Sequence, residues 1–182
     1  SGFLIDIDSA LVVWYSKRQP AIETTVVGAE FVAMKQGMEA LRGLRYKLRM
    51  MGVPISGLSF IYGDNLSVIH NTQKPESVLK KKSNSICYHA IRETDEMGEC
   101  LTGYVRSENN PADICTKLMY AGQKCDHLIG LILWDIVDHA GSDPLMRGLK
   151  VTRVPLLYEL NSRHGLSIRQ TTSLICFIAP IV

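Results

Sequence analysis

The sequence predicts an α/β domain, and three observations predict it. Gly2 to Ile7 and Leu11 to Tyr15 are apolar, β-rich runs joined by Asp8-Ser9-Ala10, the pattern of a hairpin. Thr24 to Met51 then changes to helical periodicity. Leu58 to Tyr62 reads as a buried strand that closes on Gly63-Asp64-Asn65 and runs into a short helix from Leu66 to Asn71. The chain has 182 residues, 46% hydrophobic and 21% charged, which suits one globular domain with a sizeable core. A net charge of +2 announces no strong global field toward nucleic acid or membrane. The basic residues are local instead, at Lys17-Arg18, Arg42 to Arg49 and Lys80-Lys81-Lys82.

The long helix carries the first candidate site residue. On a wheel of 100° per residue, Ala33, Met34, Gly37, Leu41, Leu44, Leu48 and Met51 fall within about 60° of Glu30. Lys35, Glu39, Arg42 and Arg49 fall on the other side. Glu30 thus lies in the buried stripe, where an ionised carboxylate is costly unless paired or metal-bound. A Glu near a helix start can also reach solvent, and periodicity alone leaves both readings open.

Gly52-Val53-Pro54 stops this helix. Asp64 follows the predicted strand, at the end where α/β sheets build their sites. It is equally suited to capping the next helix. Lys74 to Ser85 is a polar connection, Ile86 to Met97 reads as helix, and Leu101 to Val105 as strand. Asn110 is a good N-cap and Pro111 a good first helical residue, which places Asp113 at the third position. There an acid also interacts favourably with the helix dipole without any chemistry. Ile129, Ile132, Leu133, Ile136 and Val137 form a last helical stripe. Asp8 reads as a residue of the first hairpin turn, and Asp6 stands beside it where the strand meets solvent.

Residues 139–182 mix Pro144, Pro155 and Pro180 with short apolar runs and show little periodicity. They read as a tail, which makes residues 1–138 the domain. The run Leu174 to Val182 is too short to span a bilayer, and no membrane association is expected. Cys87, Cys100, Cys115, Cys125 and Cys176 form no Cys-x-x-Cys pair, which suggests reduced thiols in an intracellular (cytoplasmic or nuclear) protein rather than a zinc site.

Five motifs now stand in order: Trp14-Tyr15-Ser16-Lys17-Arg18-Gln19-Pro20, Gly28-Ala29-Glu30-Phe31-Val32-Ala33, Tyr62-Gly63-Asp64-Asn65, Tyr88-His89-Ala90-Ile91-Arg92-Glu93, and Ala112-Asp113-Ile114-Cys115-Thr116-Lys117-Leu118. Together, over about Ser1 to Asp138, they resemble the ribonuclease H domain of copia-type retrotransposon polyproteins. The resemblance implies a ribonuclease H-like mixed sheet flanked by helices. It implies an upstream reverse transcriptase segment and cleavage of the RNA strand of RNA–DNA hybrids with two Mg²⁺ or Mn²⁺ ions. By the matching motifs Glu30, Asp64 and Asp113 are the metal ligands and catalytic acids. Carboxylates converging from separate elements are what two-metal phosphodiester cleavage requires. Lys17, Arg18, Lys80, Lys81 and Lys82 are the residues expected to hold the nucleic-acid backbone.

The chain departs from the family in two ways. Ser1-Gly2-Phe3-Leu4-Ile5 matches the family's second strand, so its first strand and first catalytic Asp are expected to be missing. That leaves unpaired edges on two neighbouring strands and too few ligands for a second ion. The stretch Ser107 to Asn110 has no counterpart of the His that cellular ribonucleases H carry there. The expected function is therefore an ancestral hybrid nuclease, inactive as this fragment. A non-catalytic nucleic-acid-binding remnant is the alternative, and an inert pseudogene product a further one. An integrase is disfavoured because its Glu comes last among the acids.

Overall fold

The computed structural model describes residues 1–7, 10–20, 23, 25–55, 57–74, 76–77, 79, 82–132 and 174–180. The predicted hairpin forms from β1 (Gly2–Ile7) and β2 (Ala10–Ser16), paired antiparallel with Ile7 opposite Ala10. On β2 the side chains alternate between half-buried and exposed, and Trp14 stands on the open face. This is the period-2 pattern of an edge strand with one wet face.

Helix α1 (Val26–Met50) starts where Thr25 accepts a hydrogen bond from the Gly28 amide, 3.2 Å away. It ends before Gly52, whose φ of 78° suits glycine. Ala33, Met34 and Leu41 of the predicted stripe are buried, as are Phe31 and Met38 beside it. Met51, expected in the stripe, is exposed: Met51 caps the helix, where the chain turns into Gly52. Gly37 matters to the packing. A Cβ there would come within 2.9 Å of the Ile178 side chain, so the missing side chain lets α1 lie close on the sheet.

The chain continues through β3 (Ser59–Gly63), α2 (Leu66–Gln73), α3 (Ser85–Glu96), β4 (Cys100–Tyr104), 3₁₀ turns at Ser107–Asn109 and Pro111–Cys115, and α4 (Gln123–Ile132). Of the last predicted stripe, Ile129 and Ile132 lie on α4, and Leu133, Ile136 and Val137 lie outside the described residues.

The last strand, β5 (Leu174–Ala179), corrects the expectation drawn from the sequence. The sheet order is β2-β1-β5-β3-β4, with β5 antiparallel to β1 and parallel to β3. The place between β1 and β3, expected to be empty with bare edges on both sides, is filled from the segment expected to be a tail. All six residues of β5 are buried. Cys176 and Ile178 meet α1, while Ile175, Phe177 and Ala179 join Phe60 and Tyr62 on the other face. The Tyr62 and Phe177 rings stack at 5.6 Å between centroids. A strand buried on both faces reads as a continuous apolar run, so it lacked the alternation that would have marked it.

The result is an α/β architecture with a mixed five-stranded sheet flanked by helices, compatible with a ribonuclease H-like fold. No helix among the described residues is long and apolar enough to cross a membrane.

Candidate functional site

Two of the three candidate acids, Glu30 and Asp64, lie at the carboxyl end of β3, beside the end of β5. Asp64 sits on the bend immediately after β3. It does not cap α2. Asn65 does, accepting from the Ser67 amide at 2.8 Å. Asp64 is left half-exposed and accepts a hydrogen bond from the Ser107 hydroxyl at 2.8 Å. Ser107 opens the loop that leads to Asp113, so this bond ties the end of β3 to that loop.

Glu30 reaches the same cleft from the second turn of α1. The cleft is lined by Glu30, Met34, Gly63, Asp64, Asn65, Val68, Ile178 and Pro180. Glu30 is 8% exposed, so it does not escape to solvent as a helix-start residue could. Burial, and after it the negative charge of Asp64, push its carboxyl up to about 7. A hydrogen bond from the Asn65 side chain and the positive charge of Lys117 pull the other way. Its Oε2 atom is buried with no hydrogen-bond partner among the described residues. Two carboxylates in one cleft, one of them holding its proton near neutrality, form an anionic site short of positive charge.

Asp113 is placed differently. Asn110 caps the 3₁₀ turn Pro111–Cys115 as expected, accepting from the Ala112 amide at 3.2 Å. The turn is a short 3₁₀ element rather than the start of a longer helix. The Asn110 amide also donates to the Ile178 carbonyl at 2.8 Å, pinning the turn to β5. Asp113 is fully buried. Lys117 Nζ lies 2.8 Å from its Oδ1 and Lys124 Nζ 3.5 Å from its Oδ2. Neither contact is an aligned hydrogen bond, so the carboxylate is held by charge rather than by directed donors. Asp113 does not line the Glu30–Asp64 cleft; it connects to it through Lys117, whose field reaches Glu30. Among the described residues no three His, Cys, Asp or Glu side chains are grouped so as to hold a metal ion.

Sequence reasoning missed Ile178 and Pro180 at the cleft, because their strand was assigned to a tail. It also missed Asn110 as the link between β5 and the last acid, and Lys124 on α4 as a partner of Asp113. The loop Ser107–Asn109 carries no His, but His127 of α4 meets it, Nε2 to Asn109 Oδ1 at 2.9 Å. Of the predicted basic residues, Lys17 and Arg18 are exposed, with the Lys17 ammonium 5.8 Å from the Tyr15 ring centroid. Lys82 is exposed at the turn before α3. Lys80, Lys81 and Asp8 lie outside the described residues. Asp6, expected where the strand meets solvent, is instead buried in β1, because β2 and β5 flank it on both sides in register with Leu11 and Ile175. All five cysteines are free thiols.

Comparison with known proteins adds to this picture. Over 133 residues, 72% of its length, the chain is 23% identical to the retrovirus-related Pol polyprotein from transposon TNT 1-94 of Nicotiana tabacum. Over 134 residues, again 72%, it is 24% identical to the retrovirus-related Pol polyprotein from transposon RE2 of Arabidopsis thaliana. These likenesses support a retrotransposon polyprotein origin. The chain spans 10% of the first relative's length and 9% of the second's. No family model matches it, and no solved structure does.

Proposed function

We propose that the chain is the ribonuclease H region of a retrotransposon polyprotein, whose ancestral reaction is hydrolysis of the RNA strand of an RNA–DNA hybrid, and that its hydrolytic site has decayed. One observation carries this reading. Glu30 and Asp64 share a cleft at the carboxyl end of β3, close enough that Asp64 helps push Glu30 up to about 7. Two acids sharing a cleft at a strand end form the remains of a cation-dependent phosphodiester site.

The described residues do not fit two divalent ions. Mg²⁺ requires near-octahedral oxygen geometry and gives up its water reluctantly. Here β5 runs alongside β3 and brings Ile178 and Pro180, not an acid, to the cleft. Asp113 already has two ammonium neighbours. Hydrolysis through a metal pair is therefore not part of the proposed activity of this chain. What remains is recognition. A hybrid would be held by its backbone and 2′-hydroxyls, through Lys17, Arg18 and the lysines 80–82.

The test is cleavage of a labelled RNA–DNA hybrid in Mg²⁺ and in Mn²⁺, with hybrid binding measured alongside. Salt-dependent binding without cleavage is expected. Robust cleavage that Asp64→Asn abolishes would overturn the decay reading. Absence of any salt-dependent binding would remove the recognition role.

A further inference from the structure

Asp113 is the most deeply buried of the three acids, yet among the described residues no aligned donor satisfies either of its oxygens. A buried carboxylate of this kind needs a counter-charge. Lys117 and Lys124 supply it from two different elements. Lys117 lies just past the 3₁₀ turn, four residues after Asp113, and Lys124 lies in the first turn of α4. Their ammonium groups take opposite oxygens, at 2.8 and 3.5 Å. Lys117 also acts on Glu30, stabilising its ionised form against burial and against Asp64. One ammonium thus stands electrostatically between two of the three acids.

Two unit charges on one carboxylate, with one shared toward a second carboxylate, amount to the charge a divalent cation would bring. We propose that Lys117 and Lys124 are a built-in counter-cation, holding Asp113 in place of a divalent ion and latching α4 to the 3₁₀ turn. This rests on the functional reading above only in taking Asp113 for a former metal ligand. Asp113 then has a structural role, anchoring Leu128 and the rest of α4 against the turn, and a divalent ion must displace an ammonium to reach it.

The experiment compares Mn²⁺ binding, read by the loss of the free-ion electron paramagnetic resonance signal, in three forms of the full chain: unchanged, Lys117→Met/Lys124→Met, and the same pair with Asp113→Asn. The double variant should bind Mn²⁺ roughly tenfold more tightly than the unchanged chain, with a urea midpoint that rises in millimolar Mn²⁺. Adding Asp113→Asn should erase both gains. Equal Mn²⁺ affinity in the unchanged chain and the double variant would overturn the proposal.

A second measurement keeps the proposal testable in a case where the double variant does not fold. Lys117→Met should lower the urea midpoint of the unchanged chain and leave that of the Asp113→Asn chain in place. Equal lowering in both backgrounds would overturn the proposal. Hybrid cleavage by the unchanged chain bears on the earlier functional reading alone, so the two ideas fail separately.

Discussion

Glu30→Gln should stabilise the protein, and only above a defined pH. In the folded state burial and Asp64 hold the Glu30 carboxyl at about 7, against an ordinary value of 4.5. Between those values the folded chain keeps a proton that the unfolded chain has released. The native state binds more protons there, so stability falls as pH rises through this window. Each pH unit is worth about 1.4 kcal/mol, which sets an upper bound of about 3 kcal/mol for the cost of ionising Glu30 above pH 7. Glutamine has the same shape, accepts the same hydrogen bond from Asn65, and carries no charge beside Asp64. The variant should match the unchanged chain near pH 4.5 and exceed it by about 1 to 3 kcal/mol at pH 8. Asp95, also pushed up by burial to about 6, lowers stability in the same direction but is common to both proteins and cancels. Urea denaturation across pH 4 to 8, in metal-chelating buffer, reads the difference. A variant less stable at pH 8, or a difference that does not change with pH, would refute the shared cleft.

Three further outcomes are expected. Phe177→Ala should lower unfolding free energy by about 3 to 5 kcal/mol, because the ring is buried and stacks on Tyr62 in the middle of the sheet; a change within about 0.5 kcal/mol in urea would return residues 174–179 to the status of a tail. Asn110→Ala should cost about 2 to 3 kcal/mol, since it removes the cap on Ala112 and leaves the buried Ile178 carbonyl without its donor; thermal melts check it. Replacing lysines 80–82 with alanine should weaken hybrid binding regardless of sequence and flatten the log–log salt slope by about 0.7 to 0.9 per lost phosphate contact; an unchanged slope in filter binding would exclude this run from the interface.

Legibility in the sequence followed periodicity. The hairpin, α1 and β3 were readable because each has a wet side and a dry side, or a clear turn at its end. Glu30 was readable as lying on the stripe shared by Ala33, Met34 and Leu41, but whether it stays buried or escapes from the helix start was not decidable from periodicity, and the structure buries it. The role of Asp64 was not decidable, since Asp and Asn stand together and either can cap a helix; only the structure gives the cap to Asn65. β5 is dry on both sides as β3 is, but its apolar run continues past Pro180 to Val182 without the Gly-Asp-Asn turn that closes β3, and neither its pairing with β1 nor that with β3 leaves a local mark. The lysines on Asp113 divide the same way: Lys117 stands four residues away, a familiar helical spacing, while Lys124 comes from α4 and depends on tertiary packing.

The position of β5 also has a consequence for how the chain is made. β1 and β3 do not pair with each other; β5 alone joins the β2-β1 pair to the β3-β4 pair. The strand that joins them is synthesised after every other described strand of the sheet. Until residues 174–179 leave the ribosome, a hairpin and a parallel pair wait with one open edge each, and α1 covers a sheet with a gap down its middle. Contacts between strands so far apart in sequence are slow to form, and unpaired edges invite association with other chains in the meantime. Closure of this sheet is therefore a late event, and a chain stalled on the ribosome before residue 174 is held as two half-sheets.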